Sequence, residues 1–178
     1  MKFQLMKTID PAKKIILDAD VIIHFCKGGQ LELLPQIFPN KLCVPDIVYH
    51  EALSRQFKTE IDDLVDSNQV EELEILTEVN VLIEYNRLQS IGLGRGESVC
   101  LSYCRYHNDV IGSSNLKDIR KYCENYNIVY LTTMDFLAEA YRTGKMDDAV
   151  CDFFIYNVKL KGSRLPYDTI AEFLEKNK

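Results

Sequence analysis

No apolar run in this chain of 178 residues approaches the length of a membrane span, so no transmembrane helix is expected. The opening stretch, Met1 to Lys7, lacks the extended apolar core of a signal peptide, and the cytoplasm is the compartment that follows. Excess positive charge is also lacking: 21 basic side chains stand against 27 acidic ones, for a net charge of -6. This argues against a broad cationic surface for passive nucleic-acid binding. It leaves room for a nucleic-acid enzyme, because clustered acids that hold a divalent cation also lower the net charge. There is no internal repeat, low-complexity tract or linker, and the length fits a single domain over residues 1–178 with one core. The six cysteines (Cys26, Cys43, Cys100, Cys104, Cys123 and Cys151) include one pair a helical turn apart, Cys100 and Cys104, followed by His107. No second closely spaced Cys/His pair completes a zinc site, and the chain is neither small nor visibly secretory, so reduced and mostly buried thiols are expected.

What the sequence does contain is an alternation of short apolar strands and amphipathic helices. Ile15-Ile16-Leu17 reads as a buried strand that meets Asp18 as the run breaks. Open parallel sheets gather ligands beyond the carboxyl ends of their strands, which puts Asp18 where chemistry is usually placed. Asp20 reads as the N-cap of a helix through Phe25, ended at Gly28-Gly29. A second helical stripe runs over Leu31, Leu33, Leu34, Ile37 and Phe38. Lys41 to Val44 is a strand, and Pro45 suits the first turn of the next helix. On that helix Ile47, Val48 and Glu51 fall at helical spacing, which carries Glu51 inward unless it lies at the stripe's edge and reaches water. Lys58 to Gln69 reads as a solvated amphipathic helix and Val70 to Thr77 as an edge strand. Val79 to Leu88 reads as a helix with an apolar face of Val79, Leu82 and Ile83.

Gly92, Gly94 and Gly96 form a tight loop opening a helix that carries Glu97 in its first turn, with Cys100, Leu101 and Cys104 on the same face. A first-turn glutamate is also an ordinary helix-terminus feature. Asp109 to Gly112 is a strand that reaches Ser113-Ser114-Asn115, and Leu116 to Cys123 is helical. Asn127 to Leu131 is a strand, after which Thr133 or Asp135 caps a helix from Phe136 to Tyr141. Val150, Phe153, Phe154 and Val158 mark another helix closed near Gly162, and Pro166 to Glu175 the last. The pattern argues for an α/β fold with a mainly parallel sheet. In such a fold Asp18, Glu51, Glu97 and Asp135 can converge on one edge. Crowded carboxylates repel, raise one another's pKa values and normally hold a cation; hard oxygen ligands select Mg²⁺ or Mn²⁺.

In order, Ile-Leu-Asp18-Ala-Asp-Val-Ile-Ile, Val-Pro-Asp-Ile-Val-Tyr-His-Glu51, Gly-Arg-Gly-Glu97-Ser-Val and Leu-Thr-Thr-Met-Asp135 resemble the PIN-domain nucleases. The resemblance runs from Lys14 to the last helix. It implies a three-layer Rossmann-like PIN fold and Mg²⁺- or Mn²⁺-dependent hydrolysis of RNA, single-stranded or structured. Many such proteins are toxins paired with an antitoxin protein, so the partners implied are RNA, an antitoxin and a second copy in a homodimer, with no membrane. Asp18, Glu51 and Glu97 take the first three acidic positions. Where these nucleases usually carry an aspartate after the third strand, this chain has Ser113-Ser114-Asn115; Asp118, one helical turn on, and Asp135 are the candidate replacements. The catalytic candidates are therefore Asp18, Glu51, Glu97, Asp118 and Asp135, with Asp18, Glu97 and Asp135 as metal ligands. Arg95, Ser114, Asn115 and Lys117 are candidates for substrate contact.

Two other readings compete. A catalytically degenerate PIN-like module that binds RNA or protein would explain the Ser-Ser-Asn sequence. A haloacid-dehalogenase-like phosphatase would explain Asp18-Ala-Asp20 as nucleophile and acid/base, but its late acidic pair would have to be Asp147-Asp148, which follows no apolar strand.

Overall fold

The computed structural model describes residues 9–75 and 77–177. The reading of Met1 to Lys7, and Leu76 within the strand expected up to Thr77, lie outside the described residues. Five strands form one parallel sheet: β1 (Ile15–Leu17), β2 (Leu42–Pro45), β3 (Val70–Leu73), β4 (Val110–Gly112) and β5 (Tyr130–Leu131), in the order β3-β2-β1-β4-β5. The central three strands are buried throughout, as a parallel sheet covered on both faces requires, and this is why they read as unbroken apolar runs.

Nine α-helices stand among the described residues: α1 (Ala19–Gly28), α2 (Leu34–Ile37), α3 (Arg55–Asp66), α4 (Val79–Ser90), α5 (Arg95–His107), α6 (Leu116–Tyr126), α7 (Thr133–Arg142), α8 (Asp148–Leu160) and α9 (Ile170–Lys176). One helical layer packs α1 against α3 and α8, and the other packs α5 against α4 and α6. Phe25 of α1 meets the rings of Phe136 and Phe154 edge-on at 5.9 and 5.0 Å, tying α1 to α7 and α8. The chain winds from β1 through β2 to β3, then returns to the far side of β1 for β4 and β5. The winding direction therefore reverses between β1 and β4, the place where such sheets open a crevice. Leu17 and Gly112 are in register there, and the Asp18 N–H donates to the Gly112 carbonyl at 2.8 Å.

Several local expectations change. Asp18, not Asp20, is the N-cap of α1: its backbone is extended and its side chain accepts from the Ala19 N–H, so Asp20 lies inside the first turn. Pro45 closes β2 in register with Leu73 instead of opening a helix. The next segment, Val48–Ala52, is a π-turn, with Leu53 N–H on the Val48 carbonyl. The wider turn moves Glu51 off the face shared by Ile47 and Val48, and Glu51 is exposed. On α4 the expected apolar face points outward, with Val79 and Ile83 71% and 61% exposed, while Val81, Glu84, Tyr85 and Leu88 turn inward. On that inward side Glu84 meets Arg105 of α5 and Tyr122 of α6, while Val81, Tyr85 and Leu88 form the buried stripe. The cap of α7 is Thr132, one residue earlier than expected. All six cysteines are buried. Cys100 and Cys104 lie in the core whereas His107 stacks on Tyr103 and meets Glu78, so the zinc grouping does not form. Among the described residues no helix is long and apolar enough to cross a membrane.

Candidate active site

Asp18 is only 4% exposed at the carboxyl end of β1. Its carboxylate accepts from the Ala19 N–H at 2.8 Å and from the Ser113 hydroxyl at 3.3 Å. A methyl group at Gly96 would stand 2.7 Å from Asp18 Oδ1, so the first turn of α5 reaches Asp18 only because that residue has no side chain. That approach delivers Glu97, half-buried, to the same crevice. One Glu97 oxygen accepts from the Asn115 amide at 3.1 Å, and the other folds against Gly94. Asp20, in the first turn of α1, accepts the Ser114 N–H on Oδ2 at 2.7 Å. Its Oδ1 is shut away from water, and no donor meets it with hydrogen-bond geometry.

The loop after β4 thus donates to every acid around it. Ser113 serves Asp18, the Ser114 amide serves Asp20, and Asn115 serves both Glu97 and Asp118, the latter at 2.6 Å. The Ser114 hydroxyl faces the other way. It bonds the Thr133 hydroxyl and N–H, each at 2.9 Å, and Thr133 meets His24 Nδ1 at 2.8 Å. Burial, with Lys27 nearby, pushes His24 down to about 4, so this imidazole is neutral and serves as a buried strut. The strut fixes the loop, and the loop fixes the acids.

Burial is the main cause that holds the Asp18 carboxyl well above the usual range, with the charges of Asp20 and Glu97 adding to it. Asp20 is pushed up to about 6, again chiefly by burial, against the lowering effect of its backbone hydrogen bonds. Among the described residues no lysine or arginine pairs with Asp18, Asp20 or Glu97. The donor set is hard oxygen throughout and includes the orphaned Asp20 Oδ1, which fits a divalent cation of the Mg²⁺ class. Among the described residues no three His, Cys, Asp or Glu groups stand at ligating separation.

The remaining expected residues lie at the rim or elsewhere. Glu51 is exposed and ion-paired with Arg95, whose Nε also donates to the Tyr85 hydroxyl at 3.2 Å. Asp118 and Lys117 are exposed on the first turn of α6. Asp135 completes the capping box of α7, with Oδ2 accepting from Thr132 N–H and hydroxyl, both at 2.7 Å. Asp20 and Ser113 stand at the crevice but outside the candidates of the nuclease reading, Asp20 having entered only as a helix cap and as acid/base of the phosphatase alternative. The signal for Asp20 is the second carboxylate of Asp-Ala-Asp in a chain with no acid directly after β4.

Residues 14–178 match a family model described as a PIN domain. No curated protein matches the chain. Among solved structures, VapBC-1 from nontypeable Haemophilus influenzae is similar at 16% identity and a TM-score of 0.49, over 67% of this chain and 98% of that one.

Proposed function

The chain belongs to the PIN-domain family, and on that premise we propose that it is a divalent-metal-dependent ribonuclease acting at the β1/β4 crevice. The observation that carries the reading is Asp18: a buried carboxylate within the field of two others, with no basic side chain paired to any of them among the described residues. A structural carboxylate at that depth is normally neutralised by a partner, whereas a metal site leaves the neutralisation to its ion. Asp18 and Glu97 would hold Mg²⁺ or Mn²⁺, while Asp135 would have to leave its capping box to join them. The ion, when bound, supplies charge stabilisation at the phosphodiester and a lowered pKa for the attacking water. The chain supplies orientation: Ser113 and Asn115 aim the Asp18 and Glu97 carboxylates, and the His24–Thr133–Ser114 strut keeps the loop in place. Arg95 would exchange Glu51 for a phosphate oxygen at the rim, with Lys117 as a second exposed cation. In this reading the matched residues act as one domain in the cytoplasm. An antitoxin protein restrains the activity, as the sequence resemblance implies, and a homodimer is the working assembly.

Incubating the purified chain with RNA and Mn²⁺ tests this. Cleavage of single-stranded or structured RNA should be lost in Asp18→Asn and in Glu97→Gln. Cleavage that survives both at full rate places the activity elsewhere.

One observation favours a second reading, a degenerate module that binds RNA or protein without cutting. Every acid at the crevice already receives a neutral donor from residues 113–115. RNA retained but never cleaved in Mn²⁺ is its signature. The phosphatase alternative has less support: Asp147 caps α8 and Asp148 lies in its first turn, so neither follows a strand.

A further inference from the structure

We propose that Asp20 supplies the third carboxylate of the metal site, replacing the acid that the loop after β4 lacks. The inference rests on the nuclease reading and deepens it. Three observations meet at this residue. First, Asp20 Oδ2 sits on the amide of Ser114, so the charge missing from the 113–115 loop is brought to that loop from α1. Second, neither serine can substitute for it. The Ser114 hydroxyl is committed to Thr133 and the Ser113 hydroxyl donates to Asp18, while Asn115 presents its amide nitrogen, which cannot ligate a cation, toward Glu97. Third, Asp20 Oδ1 is buried and no donor meets it with hydrogen-bond geometry, the nearby Val21 and Asn115 amides giving only a weaker electrostatic support. A buried carboxylate oxygen left without a donor is costly unless something else occupies it. A divalent cation between Asp18, Asp20 and Glu97 would do so, with one oxygen of Asp20 on the ion and the other on the Ser114 amide. That division, one oxygen ligating and one anchored, is how ligating carboxylates are commonly oriented.

Asp118 is the competing candidate. It is exposed, and its Oδ2 is held by Asn115 on the outer side of the loop. It would have to swing inward past the side chain that now holds it.

Titrating Mn²⁺ into the intact chain, followed by calorimetry and by melting temperature, separates the two. Wild type should melt about 5–10 °C higher at a hundred times its dissociation constant. Asp20→Asn keeps an oxygen for the Ser114 N–H, so a merely anchoring role would leave Mn²⁺ affinity unchanged. We expect a loss of tenfold or more in affinity and most of the melting shift, while the metal-free variant still melts cooperatively at or above the wild-type temperature. Asp118→Asn should retain wild-type affinity. Wild-type affinity in Asp20→Asn, or a loss confined to Asp118→Asn, overturns the proposal and leaves the nuclease reading standing. No Mn²⁺ response in the wild type overturns both.

Discussion

Two buried carboxylate centres border the two ends of α5, and the protein treats them in opposite ways. Near its last turn, Glu84 receives Arg87 through Nε at 2.9 Å, Arg105 at 2.9 Å and the Tyr122 hydroxyl at 2.6 Å. The hydrogen bond from Arg87, with further help from Tyr122 and Arg105, pulls Glu84 down to about 2 against the opposing effect of burial. Near the first turn, Asp18 and Asp20 are raised, chiefly by burial, and among the described residues no arginine or lysine pairs with them. The first centre is complete as it stands and holds α4, α5 and α6 together. Among the described residues the second has no cationic partner. One end of α5 therefore borders an acid site neutralised by arginine and the other an acid site without side-chain counter-charge, the kind of perturbed cluster in which function concentrates.

The contrast can be broken by removing one charge at each centre. Glu84→Gln strips a buried partner from two arginines and should cost about 3 kcal/mol, at the low end for broken buried pairs because Arg87 reaches solvent. Urea unfolding measures it, and a loss below about 1 kcal/mol would mean that the cluster holds little together. Asp18→Asn should act in the other direction. In chelator near neutral pH it should stabilise the chain by about 1 kcal/mol, or roughly 2–4 °C, by relieving a buried, repelled charge. A destabilised Asp18→Asn would mean that the acidic centre is already satisfied.

Acidity sharpens the comparison further. Asp18 and Asp20 are both raised, so each contributes stability that is present below the ordinary aspartate range and lost as pH rises through its raised value, which for Asp20 is about 6. Glu84 is depressed, so its contribution is present above the ordinary glutamate range and lost as pH falls toward about 2. The metal-free chain should therefore be most stable at mildly acidic pH, with a limb on each side. Melting curves across pH should lose the acid limb in Glu84→Gln and shrink the other in Asp18→Asn. The smallest effect belongs to Glu51→Gln. Its pair with Arg95 is exposed, so urea unfolding should show no measurable change in stability. A measurable loss would place Glu51 inside the acidic centre and not at its rim.

Much of the frame was legible in the residues. Ile15-Ile16-Leu17, Leu42-Cys43-Val44 and Val110-Ile111 are runs that only buried parallel strands explain, and Asp18 stood out because a carboxylate ends the first of them. The break at Gly92, Gly94 and Gly96 likewise announced the helix bearing Glu97. What stayed hidden depended on contacts between distant parts of the chain. Glu84 reads as a surface charge until Arg105 and Tyr122 arrive from two other helices. The outward turn of Glu51 follows from a π-turn, whose spacing the ordinary helical period misjudges. Asp20 looked like a cap because its partner, the amide of Ser114, lies 94 positions away.

The central claim, that the acidic centre at the β1/β4 crevice exists to hold a divalent cation, is tested most directly by crystals soaked in Mn²⁺ and measured for anomalous scattering. The account predicts a peak at oxygen-ligand distance, about 2.0–2.6 Å, from both Asp18 and Glu97. An empty crevice in fully soaked crystals, or a peak only at surface acids such as Asp118, would contradict it.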